Sequence, residues 1–368
     1  MKTLQLISMV AATLLLADSA TAQISLTPPA VNPFPKPIAP EKSKEKPKPK
    51  PKPRPVAAEA KKPDAKKPDA DKPGTEKASA PTAEAAVNEG PNVDLVFAAY
   101  QRGQYKTAFD LATVRAQELS DPKAMTMLGE LYANGLGIKR DYPKAIDWYK
   151  RAADLGDREA MFALAMMRMA GRGAPADREE AARLLASSAK LGNPKAAYNL
   201  ALLYIDGHTF PQDLKRAAEL LRLAADAGNP EAQYALATFY KEGTGVPKNI
   251  EQSVRLLQAA SVAGNVDAQL EYAIALFNGT GTPKNQIAAI ALLRKAAQQN
   301  NPIAQNRLAR VLVLGEGVPV DRIEGLKWHL IAKTAGKGDL MLDEALAQLK
   351  PEERAKVDEA ARKWLGGK

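Results

Sequence analysis

Residues 160–195 read AMFALAMMRMAGRGAPADREEAARLLASSAKLGNPK, and this stretch decides the fold. Ala160, Leu164 and Ala165 fall at i, i+4 and i+5, the apolar face of a helix. Gly171 and Gly173 then break that helix and permit the positive φ of a tight interhelical loop. Asp177 is placed as an N-cap, with Glu180 three residues on to complete a capping box. Ala181, Leu184, Leu185 and Ala189 give the second helix its apolar face, and Gly192 ends it as a left-handed cap. Asn193-Pro194 caps and starts the next helix, with proline at the first helical position. The stretch is a helical hairpin whose starts and stops are all written in local chemistry.

The same grammar extends in both directions with a 36-residue period. Ala124, Ala160, Ala196, Ala232, Ala268 and Ala304 share one register position, and Leu340 holds the seventh. The loop glycines recur as Gly135/Gly137, Gly243/Gly245, Gly279/Gly281 and Gly315/Gly317, and the N-cap as Asp141, Asp213, Asn249, Asn285 and Asp321. The terminal glycine recurs as Gly156, Gly228, Gly264 and Gly336, with Asn300 in its place once. A repeat at this spacing predicts stacked hairpins, none of which buries enough apolar surface alone to offset its chain entropy. The expected fold is all-α: a right-handed α/α superhelical solenoid of six units over 124–340. A capping hairpin over 92–123 and capping helices over 341–368 would close its ends, because an open stack needs covered faces.

Leu128-Gly129, Tyr132, Gly135-x-Gly137, Asp141, Lys144-Ala145, Trp148-Tyr149 and Ala152-Ala153 resemble the Sel-one-like repeat, a relative of the tetratricopeptide repeat. The resemblance implies the solenoid fold and a role as adaptor, regulator or scaffold. A cysteine-rich branch of that family is linked to penicillin binding, but this chain has no cysteine, so that activity does not carry over. By analogy with tetratricopeptide packing, the first helices line a concave groove. Its candidate binding residues are Phe162, Met166 and Met169, then Tyr198, Leu202 and Ile205, then Tyr234, and finally Leu270, Ile274 and Phe277. An exposed apolar stripe of this size marks an interaction site; packing of the same residues between units is the competing reading.

Three places depart from the pattern. Thr209 replaces the second loop glycine within His208-Thr209-Phe210-Pro211, which reads either as a contact loop with Phe210 exposed or as a variant turn with Phe210 tucked in. Met161, Met166, Met167 and Met169 crowd one helix, as an adaptable face or as core filling. Arg168 stands where other units have Tyr132, Tyr204 and Tyr240. His329 and Trp328 occupy the positions of Tyr149 and Trp148 and read as packed residues.

Upstream, residues 1–22 read as a signal peptide: Lys2, an apolar stretch from Leu4 to Ala17, and Ala20-Thr21-Ala22 before Gln23. Residues 23–91 read as a disordered Pro/Lys/Ala-rich linker, in which Lys46 to Pro55 alternates cation and proline and favours polyproline II. Lys36 to Lys77 carries 14 basic against 7 acidic residues, so most of the chain's formal +10 is a tail property. The two histidines and absent cysteines leave no multi-histidine or thiolate metal site, and neither cofactor nor catalytic constellation is expected. Nucleic acid is not expected either, since aromatics do not interleave with the basic run. No apolar run after the leader reaches spanning length, so no transmembrane segment is expected in the mature chain.

The leading expectation is a non-enzymatic periplasmic, or alternatively secreted, module holding a protein or peptide in the groove. The alternative is an envelope-structural protein whose basic Pro-rich tail binds cell wall or an anionic membrane surface. An enzyme acting on peptidoglycan or β-lactams is a distant third.

Overall fold

The computed structural model describes residues 94–366. The readings for 1–22 and 23–91, including the leader, the linker and its polyproline preference, lie outside the described residues. Within them are sixteen helices and no strand, an all-α solenoid. A first pair, α1 (Leu95–Gln101) and α2 (Tyr105–Glu118), precedes the repeats. Six pairs follow: α3 (Pro122–Asn134) and α4 (Tyr142–Asp154), α5 (Arg158–Ala170) and α6 (Arg178–Lys190), α7 (Pro194–Asp206) and α8 (Leu214–Asp226). They continue with α9 (Pro230–Glu242) and α10 (Ile250–Val262), α11 (Val266–Asn278) and α12 (Gln286–Gln298), α13 (Pro302–Leu314) and α14 (Arg322–Thr334). The eight-residue α15 (Leu340–Ala347) and the 16-residue α16 (Pro351–Gly366) follow, both against α14.

Each of the twelve repeat helices is 13 residues long, because the same signals start and stop it. In the second unit the Asp157 carboxylate accepts from the Ala160 amide at 2.7 Å, and the Asp177 carboxylate from the Glu180 amide at 2.8 Å. At the end of α6 the Gly192 amide donates to Ala189 O at 2.9 Å and the Asn193 amide to Ser188 O at 3.0 Å, a Schellman closure with Gly192 at φ +85°. Asn300 takes the same left-handed conformation, φ +65°. The capping box at Asp177 is only half made. The Asp177 amide donates to Arg168 O, and the Glu180 carboxylate turns instead to the Arg168 guanidinium at 2.9 Å. Arg168 replaces the aromatic of the neighbouring units, where Lys144 lies over Tyr132 and Arg216 over Tyr204. The second unit therefore keeps the link between its two helices while changing a cation–ring contact into an ion pair.

The second loop glycine has a role beyond its positive φ. A Cβ on Gly245 would meet Leu214 O at 2.2 Å; one on Gly173 would meet Tyr142 Cβ at 2.7 Å, and one on Gly137 the Lys106 amide at 2.8 Å. In each case the loop lies against the first turn of the preceding hairpin's second helix. On the second helices, Ala152, Ala224, Ala260, Ala296 and Ala332 are all fully buried. The second unit has Ser188 there, equally buried, its hydroxyl donating to Arg158 O at 2.7 Å. The register alanines from Ala124 to Ala304 are buried too, but Leu340 is 81% exposed. The period thus stops short of a seventh position. Leu340 opens the eight-residue α15 instead of a seventh 13-residue helix.

Candidate functional site

The first helices of successive hairpins approach one another directly, α1 with α3 and α3 with α5. They contribute to a hollow of about 530 Å³ that draws on α1, α2, α3 and the starts of α5 and α7. Val96, Phe97, Tyr100 and Met127 line it together with Asp94, Glu130, Asp157 and Glu159. Phe97 is about half exposed. Glu130 accepts from the Tyr149 hydroxyl at 3.0 Å and from Asn134 at 2.6 Å. Burial pushes the Tyr149 hydroxyl up well beyond its usual range, and the Glu130 charge adds to this, so it remains a donor. Asp157 accepts from the Thr126 hydroxyl at 3.0 Å, joining α3 to the cap of α5.

Further along, Phe162, Met166, Met169, Tyr198 and Leu202 are half-buried and pack against one shared core cluster. Tyr234 is half-buried beside Leu257 and Ala260, and Phe277 is half-buried against the C-terminal cluster. Ile205 does not belong to this accessible set. It is 7% exposed and sits within the cluster itself, so the β-branched side chain is core; Leu270, 5% exposed, is core as well. Burial raises the Tyr198 and Tyr234 hydroxyls above the usual tyrosine range, with Glu231 contributing at Tyr198 and Glu271 at Tyr234. The Lys241 ammonium meets Glu271 at 2.8 Å, an ion pair between the first helices of the fourth and fifth units.

The departures from the repeat resolve into packing. Phe210 stacks on Tyr204 with ring centroids 5.3 Å apart, and Thr209 does not take the left-handed conformation. Of the four methionines in α5, Met167 is buried and the other three half-buried. His329 is fully buried, its Nε2 2.8 Å from an Asp343 carboxylate oxygen. Trp328 is buried edge-on to Trp364 of α16, centroids 5.0 Å apart. Among the described residues no group of three or more acidic or histidine side chains could hold a metal ion, and no helix is long and apolar enough to cross a membrane.

The hollow was missed from sequence. Its signals were Phe97, an aromatic outside the period, and Glu130, which stands where the next two units carry Met166 and Leu202. Neither residue marks a site until stacking brings α1 and α3 together.

A one-dimensional stack of like hairpins, with a helix pair before the repeats and two helices after them, defines a helical-repeat solenoid. The family model of the Sel1 repeat matches six consecutive copies, at residues 122–157, 158–193, 194–229, 230–265, 266–301 and 302–337. The chain belongs to the Sel1 repeat family, whose repeats generally mediate protein–protein interaction on a generally non-enzymatic scaffold. Among solved structures it is similar to a Sel1 repeat protein from Oxalobacter formigenes. That likeness has 25% identity and a TM-score of 0.56, over 66% of this chain and 97% of that one. It is also similar in fold to a protective antigen of uropathogenic Escherichia coli displaying an SLR fold. Identity there is 23% and the TM-score 0.50, over 77% of this chain and 72% of that one. No curated protein matches the chain.

Proposed function

We propose that this protein is an exported, non-catalytic adaptor of the periplasm that holds a peptide or extended segment of a partner protein along its first-helix face. The observation that carries this is the run of half-buried apolar side chains, Phe162, Met166, Met169, Tyr198 and Leu202, presented by two adjacent first helices. Apolar side chains left partly open beside one another supply the desolvated anchors that interfaces concentrate. The leader-like N-terminus supports export.

A photo-crosslinking residue placed at Met166 or Leu202 tests the reading in the protein's native compartment. Adducts to one protein are expected from these two positions and not from Arg183 or Glu219, exposed on the second helices. Equal adducts from both sets would refute a first-helix site. Met166→Glu with Leu202→Glu should then abolish capture while circular dichroism keeps its helical signal, since both positions are partly open.

A further inference from the structure

We propose that the hollow between α1, α3 and the start of α5 is the docking site for this chain's own basic run, Lys46–Pro55. Five carboxylates and three cations line the hollow, and one of those cations, Arg115, is already bound by Asp121 at 2.6 Å. Glu130 and Asp157 accept from neutral donors, the Tyr149 and Thr126 hydroxyls, so their charges face the hollow without a paired cation. Phe97, Tyr100 and Met127 line the same hollow.

The run has the matching chemistry. It holds five cations and no acid in ten residues. A strict cation–proline alternation favours polyproline II, in which residues three apart share an edge at roughly 9 Å spacing. In that conformation Lys46, Pro49, Lys52 and Pro55 would share one edge, Pro47, Lys50 and Pro53 the second, and Lys48, Pro51 and Arg54 the third. Every edge thus alternates a pyrrolidine ring with a cation. Aromatic-lined grooves take the rings in polyproline recognition, and carboxylates take the cations.

Position in the chain favours this occupant over a foreign one. The described structure begins at Asp94, which itself lines the hollow. Thirty-eight residues separate Pro55 from Asp94. Taken at coil dimensions they reach roughly 35 Å, which holds the run at a millimolar effective concentration. A contact too weak to form between separate molecules is populated within one.

The cysteine-free chain makes the test direct, because Ser43→Cys gives a single attachment point for a nitroxide label. Paramagnetic broadening is expected at the amides of Phe97, Met127 and Asp157 and not at those of α11 to α14. Glu130→Gln with Asp157→Asn removes both charges while keeping the hydrogen-bond acceptor and the N-cap. That double variant should lose the broadening with its melting transition unchanged, and so should the parent chain at about 0.5 M salt. Broadening that is absent, spread evenly along the solenoid, or unchanged in the double variant overturns the proposal. Broadening of equal strength when label and isotope are on different molecules also overturns it, in favour of a second copy's tail.

Discussion

Gly245→Ala isolates the contact between successive hairpins from the backbone preference of glycine. Gly245 has φ +66°, and the added Cβ would lie 2.2 Å from Leu214 O and 2.6 Å from its carbonyl carbon. These are backbone atoms at the start of α8, so relief requires the third and fourth units to part. Gly264→Ala is the matched control: φ is +97°, but nothing lies within 4 Å of the new methyl. Each substitution carries the left-handed penalty of about 1–2 kcal/mol for an L-residue. Each also loses unfolded-chain entropy, which offsets about 0.4–1 kcal/mol of it. Only Gly245→Ala adds an overpacking term, about 1–3 kcal/mol. The expected loss is therefore about 1 kcal/mol for Gly264→Ala and about 2–4 kcal/mol for Gly245→Ala. Urea unfolding gives the totals. Amide exchange along α8 and α9 shows whether the loss is at this joint, because stacked repeats open locally. Equal losses for the two variants, or an undisturbed α8–α9 joint, would refute the reasoning.

Asp343 is held below its usual 3.8 by hydrogen bonds from Lys333 and His329, so its contribution to docking α15 is present above that value and is lost as pH falls through the lowered one. Amides of α15 should lose exchange protection in that acid range, and Asp343→Asn should remove this part of the pH dependence; an identical acid profile would count against it. Replacing Arg168 by Tyr and Glu180 by Lys recreates the ring–cation contact of the first unit. Each single change should cost about 0.5–1 kcal/mol and the pair much less, as read by a double-mutant cycle; additive losses would show the two side chains to be uncoupled. Gly192→Val places a β-branched residue at φ +85° with Arg158 Nη1 only 3.3 Å from the new Cβ. It should lower stability by about 1 kcal/mol or more, and an unchanged melting midpoint would mean that α6 does not need its left-handed end.

What could be read from sequence was whatever local chemistry dictates. Asp157, Asp177 and Asn193 cap helices, and Gly171 and Gly192 end them, through bonds reaching no further than a few residues. These signals recur from unit to unit, with Asn300 once in place of the terminal glycine, so the solenoid was legible in the sequence. The capping box was half right for a non-local reason: Glu180 found Arg168, twelve residues away on the partner helix. Ile205 was misplaced because the period assigns a face, whereas burial at that face depends on the neighbouring units. Periodicity also explained Gly245 by its φ alone. The approach of Leu214 O, which excludes any side chain, exists only between units.

That approach has a direction. Gly137 rests on the start of α2, Gly173 on α4, Gly245 on α8, Gly281 on α10 and Gly317 on α12, always on a helix earlier in the chain than itself. A polypeptide emerges N-terminus first during synthesis. Each such loop therefore meets a helix that was synthesised before it. The third unit, with Thr209 in place of the glycine, is the one step where that hand-over is altered. At the far end the first turn of α14 receives no loop glycine, and α16 lies along α14 instead. The stack is thus built like a ladder raised from one foot, each glycine-bearing loop resting on the rung made before it.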